Sequence, residues 1–375
     1  MIYDIAVIGL GPAGASFARL IDSTKYKVAA IDRKSLKYPD KHAKPCGGLL
    51  SPDAQRALAR FDLSIPGHII ASPQIFYVKT IDMDNGLTNN YQRFYLNINR
   101  QKFDLWLMSL IPDSVDVFDD SLVTGIREER DSYIIEYRQA GTLRSLTAKH
   151  IVCSTGALSV VTQRLFKQDM GRFRLCIQES YAHHGQQPFF SCVFDSLNSD
   201  SYSWSLSKDG EFIFGGAYDL KQASKAFERQ KNHLEHLGVD LSTVMRREAC
   251  LVYKPRRLRD IRLGRDRIYL LGEAAGFISP SSYEGISGAL NSAFLLSCVF
   301  NEDAPYKIKA YRRITLKMRL HYMVKIVKAS MLCNKRLRKL IMKSRIKHID
   351  VINRFNKMSI PNQMVNKINV SPERF

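Results

Sequence analysis

The sequence predicts an α/β fold in which a parallel sheet wound with helices is interrupted by an inserted antiparallel β-sheet and followed by a basic C-terminal helical segment. Three observations carry that expectation. DIAVIGLGPAGASFARL, residues 4 to 20, reads as a buried strand, a glycine turn and a helix, and KVAAID at 27 to 32 as the next strand. QIFYVKTIDM at 74 to 83, and RLCIQESYAH, FFSCVFD and SYSWSLSKDGEFIFGGAY between 174 and 218, read as antiparallel strands bounded by turn residues. The third is the placement of charge. Of the formal net charge of +20, residues 301 onward hold nineteen Lys or Arg against four Asp or Glu, +15 in all, with no acidic residue between Ala304 and Ile349.

At 375 residues, 45% hydrophobic and 10% aromatic, the chain has enough apolar side chains for one or two packed domains, so disorder is not expected. Seven cysteines (Cys46, Cys153, Cys176, Cys192, Cys250, Cys298, Cys333) are an odd number, widely spread, with no CxxC and no Cys/His spacing suited to zinc. That favours a reducing, cytoplasmic setting and no metal. The chain enters directly into a strand without a cleavable apolar leader, and the longest nearly apolar run, ALNSAFLLSCVF at 289 to 300, is too short to span a bilayer. A soluble cytoplasmic protein is expected.

Gly9, Gly11 and Gly14 form GxGxxG between the first strand and its helix. Gly9 makes the tight turn, Gly11 lets backbone amides reach a pyrophosphate at the helix N-terminus, and Gly14 lets helix and strand pack closely. Asp32, eighteen residues after Gly14, ends the second strand where it can accept hydrogen bonds from ribose hydroxyls. Strand, turn, helix, strand and terminal acid in this order predict a Rossmann-type dinucleotide site, with Ala13 and Arg33 among its contacts.

NRQKFDLWLMSL, residues 99 to 110, contains RxxFDxxL, a pattern that resembles the para-hydroxybenzoate hydroxylase-like flavoproteins. In that family the arginine lies against FAD, so the resemblance implies that Arg100 is a cofactor contact, with Val123 also in the set. HIVCSTGALS, 150 to 159, looks like the strand that returns to the FAD-binding domain, with Gly156 close to the cofactor. RIYLLGEAAGFISPSSYEGISGAL, 267 to 290, resembles the family's late flavin motif, in which an acid binds the ribityl chain and backbone near a helix start faces the isoalloxazine. These map to Gly272, Glu273, Gly285 and Ile286. The motifs divide the chain into a discontinuous FAD-binding domain (1–70, 96–165 and 259–303), a substrate domain (71–95 and 166–258) whose sheet would roof the flavin, and basic C-terminal helices (304–375).

KHAKPCGGLLSPDAQ, residues 41 to 55, places Cys46 in a loop between a proline and two glycines. PCGGL resembles the loop after the second strand in the geranylgeranyl reductase branch of these flavoproteins, which passes along the flavin with its Cys-Gly pair, here Cys46 and Gly47, near the ring. A YxWxFP stretch lines the lipid pocket in that branch, and Tyr202, Trp204 and their neighbours match half of it. The whole chain, to around residue 350, resembles the bacterial CbrA proteins, small members of the branch classed as FAD-dependent oxidoreductases. Three positions depart from the wider pattern. Thr155 precedes Gly156 where hydroxylases usually carry Asp, Glu273 replaces Asp, and Tyr283 stands where related reductases often have glycine, narrowing access to the flavin.

The resemblance implies FAD-dependent reduction of a carbon–carbon double bond in an apolar prenyl or lipid-like substrate, with NAD(P)H as an external reductant. Hydride delivered to one carbon needs a proton for the other, and Cys46 and Tyr202 are the candidate donors, with Tyr202, Trp204 and Tyr283 against the substrate. The alternatives are a flavin-dependent monooxygenase, or a non-catalytic flavin- or lipid-binding protein at the membrane surface. Glu284 can cap the following helix or serve the flavin, and His183 and His184 read as solvated. In the basic tail Tyr311, Ile314, Met318, Tyr322 and Ile326 recur at helical spacing. Basic helices with an apolar face can lie on anionic lipid, with Lys335, Arg336, Arg338 and Lys339 contributing, or pack on the protein body. No helix-turn-helix, zinc-finger or RNP-type signature accompanies the charge, so nucleic acid is not an expected partner.

Overall fold

The computed structural model describes residues 2–348 except 39–41, 43, 168, 183–186, 237–238 and 347. His183, His184 and the tail beyond His348 lie outside the described residues. Five strands pair in parallel in the order Asp116–Phe118, Val28–Ile31, Ile2–Ile8, Thr142–Cys153 and Ile268–Leu270. Val28–Ile31 is buried along its whole length, as a strand covered on both faces requires. Helices Pro12–Leu20 and Ile286–Asn301 pack on one another, with Phe17 and Phe300 edge to face at 5.9 Å. An antiparallel meander, Ser121–Glu128 and Tyr133–Gln139, joins the sheet through the strand Thr142–Cys153. Because the strands are parallel, Gly9, Asp32, Ser154 and Leu271 all emerge at one edge of the sheet. Open α/β sheets take ligands at that carboxyl edge.

The second sheet runs Val244–Tyr253, Phe173–Ala182, Glu211–Tyr218, Ser203–Lys208, Phe189–Phe194, Ile75–Asp82, Leu87–Asn97 and Leu49–Leu50. The segments read as strands form strands, with one correction: Phe189–Phe194 lies parallel to Ile75–Asp82, not antiparallel. Between these two the chain crosses into the first sheet and forms Asp116–Phe118 and Thr142–Cys153, so no hairpin constrains their direction. Alternation along the strands gives the sheet two apolar faces. Ile177, Tyr181, Phe212 and Phe214 pack on Ala226 and Phe227 of helix Ala223–His236, while Cys176, Trp204, Ile213 and Val252 form a separate cluster on the other face.

Helices Lys307–Ile314, Leu316–Cys333 and Lys335–Lys343 strap both sheets. Tyr311, Tyr322 and Ile326 are buried, Met318 is half-buried, and Ile314 is exposed. Tyr311 Oη donates to the Leu270 carbonyl at 3.2 Å and Tyr322 Oη to the Phe277 carbonyl at 3.3 Å. The periodic apolar face of the tail therefore packs on the protein body. Arg338 also departs from its basic neighbours, being only 2% exposed. Its Nε stands 2.8 Å from Asp82 Oδ2, Nη2 donates to Asp82 Oδ1 at 2.9 Å and to Asp84, and its guanidinium lies over Phe194 at 4.9 Å.

Removing one partner of a buried pair leaves an uncompensated charge. Arg338→Ala should therefore cost about 3 to 5 kcal/mol in urea unfolding, whereas a surface change at the adjacent Lys339 should cost about 0.5 kcal/mol or less. Equal midpoints for the two variants would contradict the buried pairing.

Candidate functional site

A cavity of about 470 Å³ lies between the carboxyl edge of the parallel sheet and the second sheet. Its floor begins at the glycine turn. Gly9 has φ +92, and a Cβ there would stand 2.8 Å from the Ser154 carbonyl oxygen. A Cβ on Gly14 would clash with the Gly9 carbonyl oxygen, so the helix start approaches the turn as closely as backbone permits. Gly11 is different, because a Cβ there meets no protein atom within 4 Å, yet the residue lines the cavity. Helix Pro12–Leu20 has no side-chain cap and no acid in its first turn, which leaves its first amides and the positive end of its dipole for an anion. Asp32 accepts hydrogen bonds from the Leu10 amide and, at 2.7 Å, from the Lys34 amide.

Arg100 opens helix Arg100–Ser109 and donates through Nε to Asp104 Oδ1 at 2.7 Å, the i,i+4 partner within RxxFDxxL. Lys34 Nζ stands 3.4 Å from the other Asp104 oxygen. Burial pushes the Asp104 carboxyl up, but Arg100 and Lys34 outweigh it and hold it below the usual range. On the opposite wall Lys44 Nζ donates to Glu273 Oε2 at 2.7 Å, and Glu273 Oε1 accepts from the Tyr253 amide at 2.9 Å. Burial pulls the Lys44 ammonium down, and Glu273 outweighs it, so Lys44 stays charged. The loop between these pairs is held by three hydrogen bonds. Cys250 Sγ donates to the Pro45 carbonyl at 3.7 Å, the Ile98 amide to the Gly48 carbonyl at 2.9 Å, and Lys208 Nζ to the same carbonyl at 3.4 Å. Burial pushes Lys208 down to about 8.

The far end of the cavity is aromatic. Tyr202 and Tyr283 stack with centroids 6.0 Å apart and an interplanar angle of 24°, and Trp204 meets Tyr202 edge-on at 6.0 Å. Trp204 lies over Gly215, where a Cβ would come within 2.8 Å of the indole. Tyr283 has φ +48, a conformation that favours glycine and costs a tyrosine roughly 1 kcal/mol or more. Tyr202 Oη donates to the Ser282 carbonyl at 2.6 Å. Tyr283 Oη instead shares a hydrogen with Ser201 Oγ, which accepts from Lys254 Nζ at 3.0 Å, and Lys254 lies 3.3 Å from the half-exposed Asp200 carboxylate. Burial raises both phenols well above their ordinary pKa and lowers Lys254 against the pull of Asp200. A chain of exchangeable protons thus runs from solvent to Tyr283.

One wall or another of this cavity holds Gly9, Gly11, Ala13, Asp32, Arg33, Cys46, Gly47, Arg100, Val123, Gly156, Glu273, Gly285 and Ile286, together with Tyr202, Trp204 and Tyr283. Gly14 and Gly272 do not reach it; they sit behind the wall, Gly272 donating its amide to Ser292 Oγ at 2.9 Å. Glu284 caps its helix, accepting from the Ser287 amide at 2.7 Å, and lines the cavity as well. Lys44, Lys254, Ser201 and the facing pair Cys176 and Cys250 escape the sequence reading. Lys44 alone left a signal, a cation two residues before Cys46 in a loop already marked by its glycines.

No protein-family model matches the chain. Protein CbrA of Escherichia coli O6:H1 is 46% identical over 347 residues, 92% of this chain and 94% of that protein, and Protein CbrA of Shigella flexneri serotype 5b is 46% identical over the same length. Among solved structures, a geranylgeranyl bacteriochlorophyll reductase-like protein from Thermoplasma acidophilum superposes with a TM-score of 0.76 at 18% identity, covering 98% of this chain and 95% of the other. PqsL from Pseudomonas aeruginosa, described as a probable FAD-dependent monooxygenase, gives 0.69 at 13% identity, covering 92% and 100%. The fold is that of FAD-dependent oxidoreductases.

The glycine turn offers a test that separates fold from ligand. Gly11 has ordinary backbone angles (φ −70, ψ −172) and open space before it, so Gly11→Val should fold normally while its side chain fills the pyrophosphate position. FAD released on denaturation, per mole of protein, should fall at least roughly tenfold with an unchanged apo-protein melting curve. Full FAD content in this variant would contradict the assignment.

Proposed function

The chain belongs to the CbrA protein family, and from the chemistry of its cavity we propose that it is an FAD-dependent oxidoreductase that reduces a carbon–carbon double bond in an apolar prenyl or lipid-like substrate. The observation that carries this reading is the continuity of one cavity from the glycine turn to an apolar chamber lined by Leu158, Phe190, Tyr202, Trp204, Ile278 and Tyr283. Gly11 and the first amides of helix Pro12–Leu20 would hold a pyrophosphate, Asp32 the adenosine ribose, Arg100 and the Cys46–Gly48 loop the flavin side, and the backbone at Gly285 and Ile286 the ring. Open space before Gly11 and two cations on the cavity wall, Lys44 and Arg100, fit such a ligand. When bound, and once reduced by an external donor such as NAD(P)H, the flavin would supply a hydride.

The chain's own part is the proton. The Tyr202 hydroxyl is committed to the Ser282 carbonyl, whereas Tyr283 is joined through Ser201 to Lys254 and so can be reprotonated after each turnover. Burial keeps the Tyr283 phenol protonated, so it holds a proton for the carbon whose neighbour receives hydride. Cys46, whose thiol accepts the Gly48 amide at 3.4 Å and faces Arg100, is the second candidate donor.

The test is anaerobic reoxidation of enzyme reduced by dithionite or NAD(P)H, with lipid fractions as oxidants and mass analysis of the product. A product richer by two hydrogens supports the reading. Gain of an oxygen atom under air would replace it with a monooxygenase, and failure of every fraction to reoxidise the flavin would leave a binding protein. Tyr283→Phe should slow substrate-dependent reoxidation about 10²-fold and leave FAD content unchanged, with a smaller effect from Tyr202→Phe. A larger loss in Cys46→Ser than in Tyr283→Phe would move the donor to the thiol.

A further inference from the structure

Helix Leu316–Cys333 has two apolar faces, and among the described residues only one is covered by the fold. Tyr322, Ile326 and Ala329 pack inward. Leu316, Leu320, Met323, Val324, Val327 and Met331 are exposed, Val324 by 62% and Val327 by 54%. At about 100° per residue these six fall within about 100° of arc, a single stripe along the helix. Ile314 on the preceding helix and Leu337 and Leu340 on the following one are exposed as well. Lys317 borders it, and Arg313, Lys335, Arg336 and Lys339 are exposed on the adjoining helices. With no acidic residue from Ala304 to Ile349, the surface complements an anion and repels a cation.

Scattered exposed apolar side chains need no explanation, but a continuous stripe edged by one sign of charge does. We propose that this stripe seats the protein on an anionic bilayer surface, the apolar side chains entering the boundary between headgroups and acyl chains while the basic residues meet the headgroups. The helix also stands beside the aromatic chamber. Its Leu332 packs in the same cluster as Tyr202, Trp204 and Tyr283, and Tyr322 fills the space left by Gly288 in the helix that begins at Ile286. The inference rests on the stripe and its charge, not on the reaction proposed above.

The test uses the flavin-loaded full chain and cosedimentation with vesicles of phosphatidylcholine alone or mixed with phosphatidylglycerol, at low and high salt. Binding should favour the anionic vesicles at least roughly tenfold at low salt and weaken at high salt. Lys335→Gln and Lys339→Gln should each weaken it about fivefold. The double variant V324S/V327S should lower binding at both salt concentrations, with flavin content and melting curve unchanged because neither residue is buried. Equal recovery with the two vesicle types, or unchanged binding in V324S/V327S, would overturn the proposal. So would a wild-type dimer in sedimentation equilibrium that the same double variant dissociates, since the stripe would then be covered by a second copy.

Discussion

The contact of Gly14 with the Gly9 carbonyl is the constraint on which the site depends. Any side chain at Gly14 would lift helix Pro12–Leu20 off the end of the strand Ile2–Ile8 and carry its first amides away from the cavity. Neighbouring strand ends reinforce the approach. Ser154 Oγ, at the end of Thr142–Cys153, donates to the Gly9 carbonyl at 2.7 Å, and Asp32, after Val28–Ile31, accepts the Leu10 amide. Three adjacent parallel strands thus fix one turn, and the orientation of the helix dipole follows from them.

The second constraint is electrostatic and joins the two sheets. Lys44, in the loop after the second strand, pairs with Glu273 after the last parallel strand, and Glu273 also takes the amide of Tyr253 from the second sheet. Arg100 and Lys34 share Asp104 on the other wall. Glu273 and Asp104 are thus each matched by at least one cation, which avoids the several kcal/mol that an unpaired buried charge would cost. Arg33 adds further positive charge at the cavity wall, so that part of the wall suits a polyanionic dinucleotide.

The features legible in the sequence are those in which the residues that matter are close together along the chain. Strand, glycine turn, helix and terminal acid need no partner from elsewhere, and Arg100 meets Asp104 one helical turn away. The parallel pairing of Phe189–Phe194 with Ile75–Asp82 was not legible because direction is set by a crossover of more than a hundred residues, not by local pattern. Lys44 and Glu273 are 229 residues apart, and Arg338 and Asp82 256, so neither pairing leaves a spacing to read. In the tail the helical period is plain at Tyr311, Tyr322 and Ile326. Period alone does not reveal that helix Leu316–Cys333 has a second apolar face, since both faces repeat at the same interval.

The central claim is that bound FAD lies in the cavity with its flavin end beside the aromatic chamber. The protein has two tryptophans, Trp106 in helix Arg100–Ser109 and Trp204 in the chamber wall. A Trp106→Phe variant stripped of flavin therefore reports on the chamber alone. Titrating it with FAD should quench Trp204 emission to saturation at stoichiometric flavin. Retention of full Trp204 emission while FAD is bound would contradict the account.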